Sequence, residues 1–213
     1  SRAAAHLGLA ELASAREIEG LTRLLAATGQ TGEDNAQGPA LPPLMIGALL
    51  RANRLDEALA QAYAAQRAAP NDPEPTLLLG GLLLASGDLE RAETVFTGLI
   101  AHQGADHGSD RGSDRAAERA AASTAKLYLA RVALAGGKVA DAQTRLEALR
   151  DDPGVGGEAR LMLAAIDALH LHDPNAAIRR LTAAEQWMPD DPRPTLARGA
   201  LALSLGQPDI ARL

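Results

Sequence analysis

An all-α array of antiparallel helix pairs is what this sequence predicts, on three observations. The first is a small residue that recurs inside amphipathic stretches: Ala58, Ala92, Ala142, Ala177 and Ala211, with Gly20 in the same role near the start. The intervals are 38, 34, 50, 35 and 34 residues, which leaves a 34-residue unit once extras of 4, 0, 16, 1 and 0 are set between units. The second is turn chemistry at matching places, at Gly87-Asp88, Gly136-Gly137, His172-Asp173-Pro174 and Gly206. The third is composition. Hydrophobic residues make up 46% of the 213, yet aromatics only 2%, so any core must be Leu, Ala, Val and Ile. Alanine suits close helix packing and has the best helix propensity.

The units fall at 1–34, 39–72, 73–106, 123–156 and 158–191, with a sixth opening at Pro192. The first has Leu7-Gly8, Gly20 and Leu24, and Glu11 where a large apolar residue is expected. Gly20 within a helix costs roughly 0.5–1 kcal/mol relative to alanine. The stretch Gly29–Gly38 is polar and Gly-rich and reads as a surface loop. The second unit opens on Pro39, Pro42 and Pro43, which a first helical turn tolerates. Asn53 turns the chain, Asp56 is placed to cap, and the helix runs to about Ala69.

The third unit is the best formed. Its residues Leu79, Gly80, Leu83, Ala92 and Phe96 follow the pattern of the tetratricopeptide repeat, with Thr76 where that pattern has an aromatic. Between it and the next unit lies Gln103–Arg115, with its duplicated Gly-Ser-Asp-Arg. That segment has too little apolar surface to offset the entropy of ordering, and is expected to be a flexible excursion. Ala116–Ala122 are able to extend the following helix backward. The fourth unit carries Leu129-Ala130, Ala142, Leu146 and Leu149 and ends at Asp151-Asp152-Pro153. In the fifth, Asp173 caps and Pro174 takes the first helical position, followed by Ala177, Leu181 and Ala184. The sixth supplies Gly199 and Gly206 and stops inside its second helix, so the chain reads as an excerpt.

With five units in register, the sequence resembles the tetratricopeptide repeat family over nearly its whole length, as one array across 1–213. The resemblance implies a right-handed superhelical solenoid whose stability comes from stacking neighbours. It also implies that first helices line a concave groove, with positions 2, 5, 9, 12 and 13 of each unit facing it. The partner-binding residues so implied are Leu50, Arg51, Glu74, Leu77, Leu84, Leu127, Arg131, Leu134, Met162, Leu169 and His170. Position 12 is leucine in all six units (Leu12, Leu50, Leu84, Leu134, Leu169, Leu203), and it reads either as inter-helix core or as an apolar strip along the groove. Position 5 adds Leu196, and Arg193 is a further polar candidate. Position 9 offers Gly47, Gly81, Arg131, Ile166 and Ala200, which lacks the paired Lys and Asn of a carboxylate clamp.

The function implied is a non-catalytic scaffold for a partner protein or peptide. The alternative is a regulatory or spacer module of a larger protein carrying an enzyme or exopolysaccharide-export domain. In style the Ala-rich repeats resemble bacterial exopolysaccharide and PEP-CTERM-associated repeat proteins, which favours a periplasmic setting over a cytoplasmic one. No catalytic residues, cofactor or metal are expected: phosphate loops, nucleophile elbows and His-Glu-x-x-His are absent. His170 and His172, two apart at a turn, and the Asp residues of Gln103–Arg115, four apart, do not have ligand spacing. Trp187 reads as a stacking anchor between units. The acid pairs Asp151-Asp152 and Asp190-Asp191 read as caps and turns. A formal charge of −6 argues against nucleic acid. There is no cysteine, and no apolar run long enough to span a membrane.

Overall fold

The computed structural model describes residues 54–104 and 112–206, together with Leu49. Among the described residues the regular structure is all helix, with no strand. The helices are α1 (Leu55–Ala68), α2 (Pro73–Ser86), α3 (Leu89–Gly104), α4 (Gly112–Ala135), α5 (Val139–Leu149), α6 (Gly156–Leu169), α7 (Pro174–Trp187) and α8 (Pro192–Ser204). The fold is a tetratricopeptide-like solenoid of helix pairs, in which α2, α4, α6 and α8 are first helices and α1, α3, α5 and α7 second helices. Packing divides the chain into two units, with the division inside α3 between Val95 and Phe96.

In the first unit α1 packs against α2. The α1 face is Ala58, Gln61, Ala62 and Ala64, small enough for the axes to approach, and α2 brings Thr76, Leu79, Gly80, Leu82 and Leu83. Gln66 donates from Nε2 to Thr76 Oγ1 at 3.4 Å across this contact. Asp72 starts α2 by accepting the Glu74 N–H at 3.0 Å, with Pro73 at the first helical position. At the head of α1, Arg54 holds the cap position and Asp56 lies inside the first turn. The capping role expected of Asp56 is not made, because its carboxylate is one turn position too late to reach the free N–H groups. Arg54 instead pairs with Glu57 at 2.6 Å.

Helix α2 stops at Gly87, whose φ of +82° only glycine adopts cheaply. Asp88 N–H bonds Leu83 O at 2.9 Å and Gly87 N–H bonds Leu84 O at 3.1 Å, a Schellman closure. The same pair of bonds closes α4, from Lys138 to Ala133 and from Gly137 to Leu134, with Gly137 at φ +74°. His172 at +53° and Gly206 at +68° continue the series. Each of the four stands five residues before a repeat alanine, Ala92, Ala142, Ala177 or Ala211. His172 is therefore a non-glycine in a position where its neighbours in the array are glycine. A left-handed L-residue costs roughly 1–2 kcal/mol, partly offset by the entropy glycine adds to the unfolded chain. His172→Gly is expected to raise unfolding stability by about 0.5–1 kcal/mol in urea titration. A loss instead would mean that the imidazole makes contacts worth more than the strain.

In the second unit the main packing runs between helices consecutive in sequence, α4 on α5, α5 on α6, α6 on α7 and α7 on α8. Its largest core cluster joins Leu127, Ala130 and Ala133 of α4 to Ala142, Leu146 and Leu149 of α5 and to Ala159, Leu163 and Ile166 of α6. Phe96 enters the unit from α3 and stacks flat on Tyr128, with ring centroids 4.9 Å apart. Ser123 donates to Asp152 Oδ2 at 2.6 Å, tying α4 to the turn before α6. That hydroxyl, together with the Gly154 and Val155 N–H groups, holds the Asp152 carboxyl below its usual range, against the opposing effect of burial. Gly156 opens α6 where a Cβ would lie 2.5 Å from the Arg150 carbonyl oxygen, so the α5–α6 approach needs a residue without a side chain.

Two details depart from the expected register. Helix α4 begins at Gly112, so the last residues of the Gln103–Arg115 segment are helical, while residues 105–111 lie outside the described residues. Ala116, Ala117 and the alanines after Arg119 have the propensity to carry the helix back across the polar end of that segment. In α6 the buried pair equivalent to Leu79-Gly80 and Leu129-Ala130 is Leu163-Ala164, one residue earlier than a strict 34-residue count places it, and Ala165 is exposed. The four-residue α6–α7 connection containing His172 absorbs the difference.

Candidate functional site

The first helices present their outward positions very differently along the chain. Leu50 and Arg51 lie outside the described residues. On α2, Glu74 is exposed in the first turn, and Leu77 and Leu84 are half-buried. Spacings of three and seven put these three on one helical stripe of the first unit. On α4, Leu127 is only 7% exposed and belongs to the core cluster. That places Leu127 in the inter-helix core, together with residues of α5 and α6. Leu134 and Met162 are half-buried against the same cluster. Arg131 is exposed, with its guanidinium 5.2 Å from the centre of the Tyr128 ring.

At the end of the described array the pattern reverses. Leu169 is 70% exposed, Leu196 68% and Leu203 63%. Leu196 and Leu203 are seven apart on α8 and share one face of it. Leu169 closes α6, and His170 beside it is exposed in the turn. The two helices are joined at their N-terminal ends, where Arg193 Nη1 meets Glu158 Oε2 at 2.8 Å. Arg193 is also clamped by Asp191, through Nη2 at 2.8 Å, and the Asp191 carboxylate accepts the Arg193 backbone N–H at 2.9 Å. These bonds draw the Asp191 carboxyl below its usual range and raise the Arg193 guanidinium further above its own. Asp191 and Asp173 both cap helices, as their sequence context suggests. On the opposite flank of α8, Arg198 pairs with Glu185 of α7 at 2.7 Å. Exposed leucines of α6 and α8 thus stand on helices whose N-terminal ends are linked by the Glu158–Arg193–Asp191 ion pairs.

Exposed leucines of this kind are suited to burial against apolar side chains of another molecule. Among the described residues no three His, Cys, Asp or Glu side chains gather in a way that holds a metal. No described helix is long and apolar enough to cross a membrane. The exposed Leu171 and Leu205 flank the strip and carry no signal in the repeat count, because both fall in turns. Trp187, expected to anchor the stack between units, receives Arg160 of its own repeat over its ring at 4.5 Å and is 41% exposed.

Residues 49–107 match the tetratricopeptide repeat family. No curated protein matches the chain. A thermophilic TPR protein of Thermus thermophilus is similar in structure, at 23% identity and a TM-score of 0.52, covering 79% of this chain and 83% of that one. MamA from Desulfovibrio magneticus RS-1, residues 41 to its end, aligns at 22% identity and a TM-score of 0.48 over 85% of this chain and 91% of its own. A MamA RS-1 double mutant aligns at the same identity and TM-score, over 85% and 90%. At these identities the likeness concerns fold, and the Thermus protein carries it.

Proposed function

Because the chain carries tetratricopeptide repeats, matched over residues 49–107, we propose that it is a non-catalytic scaffold that holds a partner protein or peptide along its first helices. One observation carries this reading. Leucines at outward positions of consecutive first helices, Leu169, Leu196 and Leu203, are left more than 60% exposed, while Ala177 on the helix between them in sequence is fully buried. Fully burying one leucine contributes about 1.5–3 kcal/mol, so three together supply useful affinity for an apolar partner segment. The setting we propose is a bacterial periplasm, in association with exopolysaccharide export, supported by the Ala-rich style of the repeats alone.

The test is a quantitative affinity capture in which wild-type chain and a Leu196→Gln/Leu203→Gln variant are compared side by side. A partner of the strip is expected to be lost roughly tenfold or more on the variant, given two buried leucines. The melting temperature should be unchanged, because both side chains lie in solvent. Equal recovery of every captured protein on the two baits would refute the strip as the binding surface.

A further inference from the structure

A second surface of the same unit has the opposite chemistry. Between α5, α6 and α7 lies a pocket of about 470 Å³ lined by Arg150, Asp151, Arg160, Asp167, Arg179 and Arg180, with Ala176 and Ala183 as its apolar floor. Four guanidiniums face the two lining carboxylates and Glu147, which pairs with Arg180 at 2.8 Å and Arg150 at 3.8 Å, and so leave a local excess of positive charge in a chain whose formal charge is −6.

The six charged groups divide into two sets. Asp167 is buried, and Arg180 Nε holds it at 2.6 Å while Arg180 Nη1 reaches Glu147 at 2.8 Å, so this group is part of the frame. The others are less committed. Arg160 lies over the Trp187 ring with its side chain only 13% exposed, and its Nε is buried without a hydrogen-bond partner. Arg179 is exposed and has no ion pair among the described residues. Asp151, 67% exposed on the turn after α5, places its carboxylate between Arg160 Nη2 at 3.0 Å and Arg150 Nη2 at 3.2 Å. The pocket therefore already takes a carboxylate, supplied by the chain itself. Ion pairs at a solvent-exposed carboxylate are weak, so displacing Asp151 costs little.

We propose that this arginine pocket binds an acidic polypeptide segment, one carboxylate of which replaces that of Asp151 between Arg150 and Arg160 while another engages Arg179. Guanidinium forks match carboxylates in geometry as well as charge, and charge-assisted bonds of this type are the stronger ones. The site uses α7, the α5–α6 turn and the side of α6 that carries Arg160 and Asp167, and none of the strip leucines lines it.

The experiment is fluorescence anisotropy of a labelled hexaglutamate peptide with the full chain at low salt. Binding is expected, and hexaglutamine should not bind. Arg150→Gln/Arg179→Gln, which removes the two exposed guanidiniums, should weaken binding roughly tenfold. Asp151→Asn should strengthen it several-fold by releasing two guanidiniums, and Glu93→Gln, the same charge change on α3, should not. Leu196→Gln/Leu203→Gln should leave the affinity unchanged, so that failure of the strip and failure of the pocket are told apart. Circular dichroism melting confirms that each variant is folded, and Asp151→Asn keeps the test alive if the arginine variant is not. No binding, equal binding by the arginine variant, or no gain with Asp151→Asn overturns the proposal. So does displacement of the peptide by an equal concentration of free glutarate, which would assign the pocket to small dicarboxylates.

Discussion

Replacing Phe96 with alanine is expected to destabilise the second unit by about 3–5 kcal/mol, the usual cost of deleting a fully buried phenylalanine. Phe96 is wholly buried and is the chain's one phenylalanine. Its ring lies 5° from parallel with Tyr128 at 4.9 Å, and Arg131 stands at 5.2 Å from the centre of that same tyrosine ring. Truncation removes the area burial and the ring–ring attraction together, and leaves Tyr128 facing a void that helix backbones cannot close. Because neighbours in an array support one another locally, amide exchange should rise first in α3 and α4 and last in α7 and α8. A loss under about 1 kcal/mol, well below the usual cost of such a truncation, or exchange that rises evenly along the chain, would show that the stack is not what seats α4.

Arg180→Met is expected to cost about 3 kcal/mol, through a different mechanism. Asp167 has 4% of its side chain exposed, and its partner bond from Arg180 is 2.6 Å long. Breaking a buried pair leaves one charge uncompensated, which costs about 3–5 kcal/mol, and the lower end applies because Arg180 is 27% exposed and partly screened. The double variant Asp167→Leu/Arg180→Met should recover most of that loss, since well-packed apolar replacements of a buried pair are often neutral. A double-mutant cycle read by urea unfolding gives the coupling directly. If the double variant is as unstable as Arg180→Met alone, the arginine stem and not the charge pair holds α6 to α7.

What the sequence determined alone is the array and its small-residue seam. Ala58, Ala92, Ala142 and Ala177 are all fully buried, and the residues four beyond them, Ala62, Phe96, Leu146 and Leu181, are buried too. A helix pair cannot hide its apolar stripe without a partner, so periodicity and turn residues fix which face goes inward. They do not fix what covers the opposite face. Leu127 and Leu196 occupy the same repeat position, yet one is 7% exposed and the other 68%. Neighbouring helices decide that difference, and one unit's sequence holds no record of them. The arginine pocket was illegible for a related reason. Its charged residues come from two helices and the turn before them, from Arg150 to Arg180, and each taken alone reads as a solvated surface charge. The one-residue displacement of Leu163-Ala164 and the left-handed His172 belong here as well. A connection of different length is compatible with the same apolar period, and only the packed neighbours on α5 and α7 select the register in which α6 buries its leucine.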